Sequence, residues 1–460
     1  MDPITSIISY LKRVKYEDLP TEVVDIIKQD FLDFCGNSLA GSGDPVIQDV
    51  CALYQSWGGI PECSVFTYKE KLPAVNAALL NSVMGFAMDF DDTHMQGGHV
   101  GVAVFPAALA AAEIKRGVNG KEFIAAVAAA MEFFVRLGIY NKRRVSRHIF
   151  GGWEYHSLHA GFSSAAVTGI LLGLSDEQML NAMGLAYHQA GGVGLSALEP
   201  SDAKTLGCGF GTSDGLVSVF LAQKGVSGPH SILDGEYGFG NMYHAGCDAE
   251  GIVSNLGEKY ELLDIGFKPY ASCRLGHRTL DSLEKLINQH NIRADEVLDV
   301  RIMGSKRVVE QLYLPTSRTK GPKTRNAAVF SLPWVVACML IYGKVGVSQL
   351  SLDALSTKEI HALAQKVFVA VDTSADPADH TAIMPVVIQT KRGEFSTMTN
   401  PLAPGDRGYR LAPEVLKDKF FDNVAHSRNP LAREVQEAIA KAALDLDKQN
   451  DMRTLIKLLV

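Results

Sequence analysis

Cysteine is sparse and scattered in this chain: seven in 460 residues, at 35, 51, 63, 208, 247, 273 and 338, with no CxxC pair. That argues against a disulfide framework and leaves no local three-cysteine cluster for an iron–sulfur site. An excess of basic charge is also missing. Lys and Arg number 44 against 51 Asp and Glu, a net charge of -7, so no nucleic-acid partner is expected. Long apolar runs are lacking as well. Ala125–Val135 carries Glu132 and Val329–Tyr342 carries Pro333, and both fall short of the roughly 20 residues of a membrane span. No membrane partner is expected. Met1–Tyr16 does not have the layout of a signal peptide, and neither end carries a lipidation motif. A reducing cytoplasm is the expected location. There is no GxGxxG opening a βα unit, no P-loop, no HExxH and no GxSxG. Nucleotide binding, zinc-protease chemistry and a serine-hydrolase elbow therefore have no support.

What is present is an ordinary globular composition, 47% hydrophobic and 21% charged. The first 260 or so residues read mostly as helices. Pro20-Thr21-Glu22 opens one, with Val23, Ile26, Ile27, Phe31 and Phe34 at helical spacing and Gly36 and Gly41 in its end region. Pro73–Met88 reads as a second. Pro106 reads as the start of a third that stops at Gly117, and Lys121–Leu137 follows the Asn119-Gly120 turn. Ser175 and Gln178 have the spacing of a capping box for a helix to about Gln189. Small residues at 107–112, 125–130 and 161–166 predict close helix packing. Near residue 266 the pattern changes. Leu298, Val300 and Ile302 alternate with Asp299 and Arg301 as in a half-buried strand. Lys366–Asp372 and Ala382–Thr390 are further strand candidates, and Lys391-Arg392-Gly393 is a hairpin turn into Glu394–Met398. From about Ala412 the pattern is helical again. The expected fold is mainly α: a helical domain from residues 1–265 and 400–460, with a smaller α+β lid domain inserted at 266–399.

Four polar clusters stand out. Asp89-Phe90-Asp91-Asp92-Thr93-His94, with His99, suits acid–base work or metal binding, yet equally suits a solvated capping loop. Gly152-Trp153-Glu154-Tyr155-His156 sits before an apolar helix. Lys204 lies within the small-residue run Gly191–Gly215, where a poorly solvated ammonium would seek an anion. Lys268, Arg274 and His277 share one segment at the domain junction, where clefts often form. The basic run Lys142-Arg143-Arg144 with Arg147 and His148 reads as a solvated face or a subunit contact.

In order, the pieces Asp89-Phe90-Asp91-Asp92-Thr93-His94 with His99, Lys204 to Gly209, Gly235-Glu236-Tyr237-Gly238-Phe239, and Lys268-Pro269-Tyr270 through Cys273 to His277 resemble the MmgE/PrpD family. That family holds 2-methylcitrate dehydratase, cis-aconitate decarboxylase and iminodisuccinate epimerase. The likeness runs over nearly the whole chain. It implies the two-domain fold above, a homodimer, a small di- or tricarboxylate substrate, and chemistry without metal or organic cofactor. By motif, Asp89, Thr93, His99, Lys204 and His277 fall on the family's pocket positions. Two positions depart. Glu154 stands where the family usually has His, with His156 able to replace it only if the loop shifts. Trp334 stands where relatives often carry Tyr.

The implied chemistry breaks a bond beside a carboxylate, so the carbanion-like charge spreads onto that carboxylate. Lys204, helped by Arg274, is expected to stabilise it. His99 and His277 are the expected acid–base pair, with Asp89 orienting an imidazole. Thr93 is expected to hold substrate, and Lys268, His156 and Trp334 to border it. Glu154 is a candidate base. Dehydration of a hydroxy-polycarboxylate leads these expectations, with epimerisation and then decarboxylation as alternatives. A non-catalytic carboxylate binder is the reading from another class.

Overall fold

The computed structural model describes residues 2–141, 152–373 and 383–460. The basic run at 142–148 lies outside the described residues. Eight helices open the chain: α1 Pro3–Arg13, α2 Thr21–Ser42, α3 Pro45–Trp57, α4 Ala74–Phe86, α5 Gly101–Lys115, α6 Gly120–Tyr140, α7 Tyr155–Leu172 and α8 Asp176–Gln189. A short pair, β1 Cys63–Ser64 and β2 Lys71–Leu72, precedes α4, and α9 spans Asp202–Gln223. Helix α2 runs straight through Gly36 and Gly41, since both are buried within its packed interior. Pro106 does not start α5; it lies inside it. The carboxylate of Asp92 accepts from the N–H groups of Val100 and Gly101 at 3.1 and 2.9 Å, which fixes the helix start further upstream. The capping box at Ser175 and Gln178 forms as its spacing predicts.

The small residues do what their size allows. A Cβ on Gly215 of α9 would stand 2.6 Å from the carbonyl oxygen of Gly161 on α7, so only glycine permits that crossing. Helix α6 is long and apolar enough to cross a bilayer by length and composition, more than the 125–135 run suggested. However, 89% of its most apolar window is buried within the fold. Its charged pair is buried too: Arg136 Nε donates to Glu132 at 2.6 Å, and the guanidinium also donates to the carbonyls of Ile252 and Ser254.

The smaller α+β portion is built on a four-stranded sheet: β3 Val297–Gly304, β4 Val367–Val371, β5 Pro385–Thr390 and β6 Gly393–Met398, in the order β4-β3-β5-β6. Strand β3 pairs parallel with β4, with Val300 opposite Val367, and antiparallel with β5, with Ile302 opposite Val386. The alternation in β3 is not perfect. The register shifts between Val297 and Asp299, so Val297 takes the buried position and Leu298 is left 49% exposed. Helices α10 His277–His290 and α11 Leu332–Tyr342 belong to this half of the chain.

The C-terminal helices α12 Pro413–Val424 and α13 Arg433–Leu444 return to pack on α2. Lys419 Nζ reaches Asp33 at 2.6 Å, and Asn423 donates to Asn37 at 2.9 Å. Both ends of the chain thus build the helical body.

Candidate active site

Helix α4 ends just before Asp89, whose backbone takes φ +47°, a left-handed conformation uncommon outside glycine and asparagine. The loop that follows is clamped twice. Thr93 and Gly266 exchange backbone hydrogen bonds at 2.9 Å, and His94 and Gly98 exchange them at 2.8 Å. Gly98 sits at φ +99°, where a side chain would be strained. The clamped loop turns Asp89, Asp91 and His99 inward.

Three distant segments meet there. Lys204, from the first turn of α9, donates to Asp89 Oδ1 at 2.8 Å. Its ammonium also stands 3.8 Å from the centre of the Phe86 ring and 5.4 Å from that of Phe330. Lys268 donates to the Asp89 carbonyl at 2.6 Å and lies 3.4 Å from its Oδ1. His99 holds Asp91 Oδ2 at 2.7 Å through Nδ1, with Nε2 3.7 Å from Asp89 Oδ1. A carboxylate can only accept, so Nδ1 carries the hydrogen and Nε2 keeps its lone pair.

Glu154 precedes α7. Its Oε1 accepts from Ser196 at 3.0 Å and lies 3.4 Å from His156 Nε2, while Oε2 accepts from Ser157 at 3.1 Å. The His156 ring packs edge-on against His99, centroids 5.1 Å apart. Both Glu154 and His156 therefore face the site; the loop does not have to choose between them.

Asp89, His99, Glu154, His156 and Lys204 line one cavity of about 120 Å³, which Thr93, Lys268 and Arg274 also border. Burial opposes charge throughout it. For Asp89 the nearby Lys204 and Lys268 outweigh burial and hold its carboxyl below the usual range. Burial likewise works against Glu154, yet His156 and then Lys204 hold it ionised. Lys204 is held charged by Asp89 and Glu154 in spite of burial. For His99 burial wins: it pulls the imidazole down to about 4, with Asp91 offsetting only some of the effect. At neutral pH the site therefore holds a proton-bearing ammonium and an unprotonated imidazole.

Two expected residues are not on the cavity wall. His277 opens α10 with its ring fully buried; Nε2 lies 3.1 Å from the Ser272 carbonyl oxygen and 3.2 Å from its hydroxyl. Its neighbours Cys273 and Arg274 reach the cavity instead. Nε2 is thus tied to the 272–277 turn, while Nδ1 is buried with no hydrogen-bond partner among the described residues. Trp334 is also fully buried, its indole N–H donating to the Gln349 carbonyl at 3.1 Å. Phe330, four residues earlier, borders the site, as does Tyr155. The Gly235–Phe239 piece likewise stays away from it, Phe239 packing against Phe162 and Tyr243.

Sequence reasoning gave no role to Asp91, Phe86, Ser157, Ser196 or Arg307. Asp91 stood in a cluster already marked. Phe86 carries no polar signal, and Arg307 at the cavity edge lies in a segment to which the sequence reading assigned nothing. For a metal, Asp89, Asp91 and His99 bring ligand atoms within 4.8 Å of one another. The Lys204 and Lys268 ammonium groups already neutralise those carboxylates, so a divalent ion would have to displace both. The donor set fits a metal poorly.

Residues 5–251 match the MmgE/PrpD N-terminal domain and residues 270–446 the MmgE/PrpD C-terminal domain. The chain belongs to the MmgE/PrpD family. Among curated relatives, it is 26% identical to a cis-aconitate decarboxylase of Aspergillus terreus over 96% of this chain and 93% of that protein. It is 26% identical to the cis-aconitate decarboxylase-like protein oryM of Aspergillus oryzae, over 84% of this chain and 83% of that one. The cis-aconitate decarboxylase of Mus musculus is 24% identical over 97% and 91%. This MmgE/PrpD protein is accordingly a member of an enzyme family with lyase relatives. Its fold is the family's two-domain architecture, mainly helical with an α+β portion.

Proposed function

We propose that the protein is a lyase acting beside a carboxylate of a small polycarboxylate, and that it decarboxylates an unsaturated tricarboxylate of the cis-aconitate kind. The single observation that carries this is the Lys204 ammonium, pinned by Asp89 between Phe86 and Phe330 in a cavity it shares with His99 and Glu154. When a carboxylate leaves as CO2, the bonding pair stays behind and spreads through the alkene onto a remaining carboxylate. A fixed cation in a dry site stabilises that charge more than it stabilises the substrate. The carbanion then takes a proton, which Lys204 carries and the resting His99 does not.

Decarboxylation is placed ahead of dehydration, the leading sequence expectation, because the relatives carry the decarboxylase name. Dehydration stays as a second reading on one specific observation. His99 offers an unprotonated Nε2, held by the Asp91 hydrogen bond, which suits removal of an α-proton before hydroxide leaves. The test is turnover of cis-aconitate, citrate and 2-methylcitrate in deuterated water, followed by NMR. Release of CO2 with one deuterium in the product supports decarboxylation. A new alkene with no CO2 overturns it in favour of dehydration. Inversion with label uptake and neither product overturns both.

A further inference from the structure

The cavity draws its walls from both halves of the chain. Asp89, His99, Glu154 and Lys204 come from the helical body, whereas Arg307 and Gln311 come from a short helix, Lys306–Leu312, that follows β3. Residues four apart share one helix face, so both side chains reach the same cavity. That helix is held at both ends. Ser305 accepts from the Val308 N–H at 3.4 Å, and Arg318 donates to the Gln311 carbonyl at 3.3 Å. The same guanidinium donates to the carbonyl of Leu198, which ties the helix to the segment just before α9 and Lys204.

Gln311 is 3% exposed, yet its carboxamide is poorly satisfied. The amide nitrogen stands 4.0 Å from Cys273 Sγ, a long contact, and the amide oxygen accepts no hydrogen bond among the described residues. A buried acceptor without a donor costs stability, and here the cost falls on a residue that borders the candidate active site. Burial raises the Cys273 thiol above its usual range, so it keeps its hydrogen. A half-turn of the carboxamide brings its oxygen to that S–H and turns the N–H2 group away from the sulfur. The wall then carries a neutral donor, on a different segment from the Lys204 ammonium.

We propose that Gln311 is a specificity-determining residue: its N–H2 group donates to a substrate carboxylate other than the one Lys204 serves, and so selects for a third carboxylate. The inference rests on the carboxylate reading above, but not on which bond is broken.

The experiment is calorimetric titration of the whole protein at pH 8 with tricarballylate, which has three carboxylates, and with succinate, which has two. Neither carries an alkene or a hydroxyl to react. Gln311→Met keeps the length of the side chain without the amide. It should bind tricarballylate about tenfold more weakly, the loss of a hydrogen bond to a charged group, with succinate affinity within about twofold of wild type. Without ligand it should unfold in urea at the same midpoint as wild type or a higher one, because an unpaired buried group has gone. Gln311→Glu keeps the shape but offers only acceptors and a negative charge, and should weaken tricarballylate more than Gln311→Met does. If Gln311→Met binds tricarballylate as wild type does, the proposal is overturned and the carboxylate reading stands. If it lowers the urea midpoint and weakens both ligands alike, Gln311 is a structural residue and the proposal is likewise overturned. Wild-type affinity in Gln311→Glu would mean that the side chain accepts instead of donating, and overturns it too. If wild type binds neither ligand, the carboxylate reading fails and this inference with it.

Discussion

Two groups of buried carboxylates stand back to back in this protein and behave in opposite ways. In front, Asp89 faces the cavity with Lys204 and Lys268 beside it and is held ionised. Behind the same loop, Asp30 and Asp92 both lie within 3.1 Å of the position a Cβ on Gly101 would take. Burial first, and then Asp92 and Asp33, push Asp30 well above the usual carboxyl range; burial and Asp91 do the same to Asp92. Residue type and depth are alike. The difference is the cations: two ammonium groups reach Asp89, while Lys419 is engaged by Asp33. Under the proposed function, charge in the front group serves chemistry. The rear group keeps protons and serves structure, with Asp92 fixing the start of α5 through two backbone N–H groups.

The sharpest way to break this contrast is to remove the front cation. Lys204→Met should lower kcat/KM about 10³-fold, the cost of losing a placed charge at a developing anion. It should also destabilise the fold, because Asp89 keeps its charge with one cation fewer. Adding Asp89→Asn should recover stability, read by urea unfolding, but not turnover. His99→Asn should cost about 10²-fold in kcat/KM, and it tests the depressed imidazole directly. The unfolded chain takes up a proton below about 6.5, whereas native His99 does so only near 4. Wild type therefore loses stability as pH falls between those values, by an amount of order 3 kcal/mol. The variant should lack this share of the loss when unfolding at pH 7 and pH 4.5 is compared.

The front group was the legible one. Asp89, His99 and Lys204 announce themselves as polar residues in apolar or small-residue surroundings, and the structure brings all three to one cavity. The helices were legible from periodicity, and the sheet from the alternation at Val300 and Ile302. What sequence could not supply was direction. His277 lies three residues from Arg274, yet Arg274 reaches the cavity and His277 turns to the Ser272 carbonyl. Asp30 reads as one polar position on an amphipathic helix; only the packing of α2 against the Asp89–His99 loop shows that it is buried among acids. The Val297–Asp299 register shift in β3 was similarly invisible, since either Val297 or Leu298 satisfies the hydrophobic pattern.

The rear group offers the converse experiment. Asp30→Asn should leave kcat/KM within about threefold, since Asp30 does not line the cavity. Its effect on stability carries a definite sign. Native Asp30 keeps a proton that the unfolded chain gives up above about 3.8, so wild type is progressively penalised as pH rises. Asparagine has no proton to lose. The variant should gain on wild type as pH rises from 5 to 8, in melting experiments across that range. A loss that grew with pH would mean that Asp30 is ionised in the native state and that the two groups are not opposites.

The smallest effect on activity is expected at Trp334, and it separates a residue that merely differs from relatives from one that acts. The indole is buried, donates to the Gln349 carbonyl and meets the His361 ring with centroids 5.1 Å apart. The residue does not border the cavity, so an aromatic hydroxyl at this position would not reach a substrate held by Lys204 and His99. Trp334→Phe removes the N–H and leaves a buried carbonyl unpaired, at a cost of about 1–3 kcal/mol in unfolding. Its kcat/KM should stay within about twofold of wild type. Phe330→Leu, by contrast, removes a ring that faces the Lys204 ammonium, and should change kcat/KM while leaving the Trp334 contacts in place. If Trp334→Phe proved the more damaging of the two to turnover, the cavity wall would have to be redrawn to include α11.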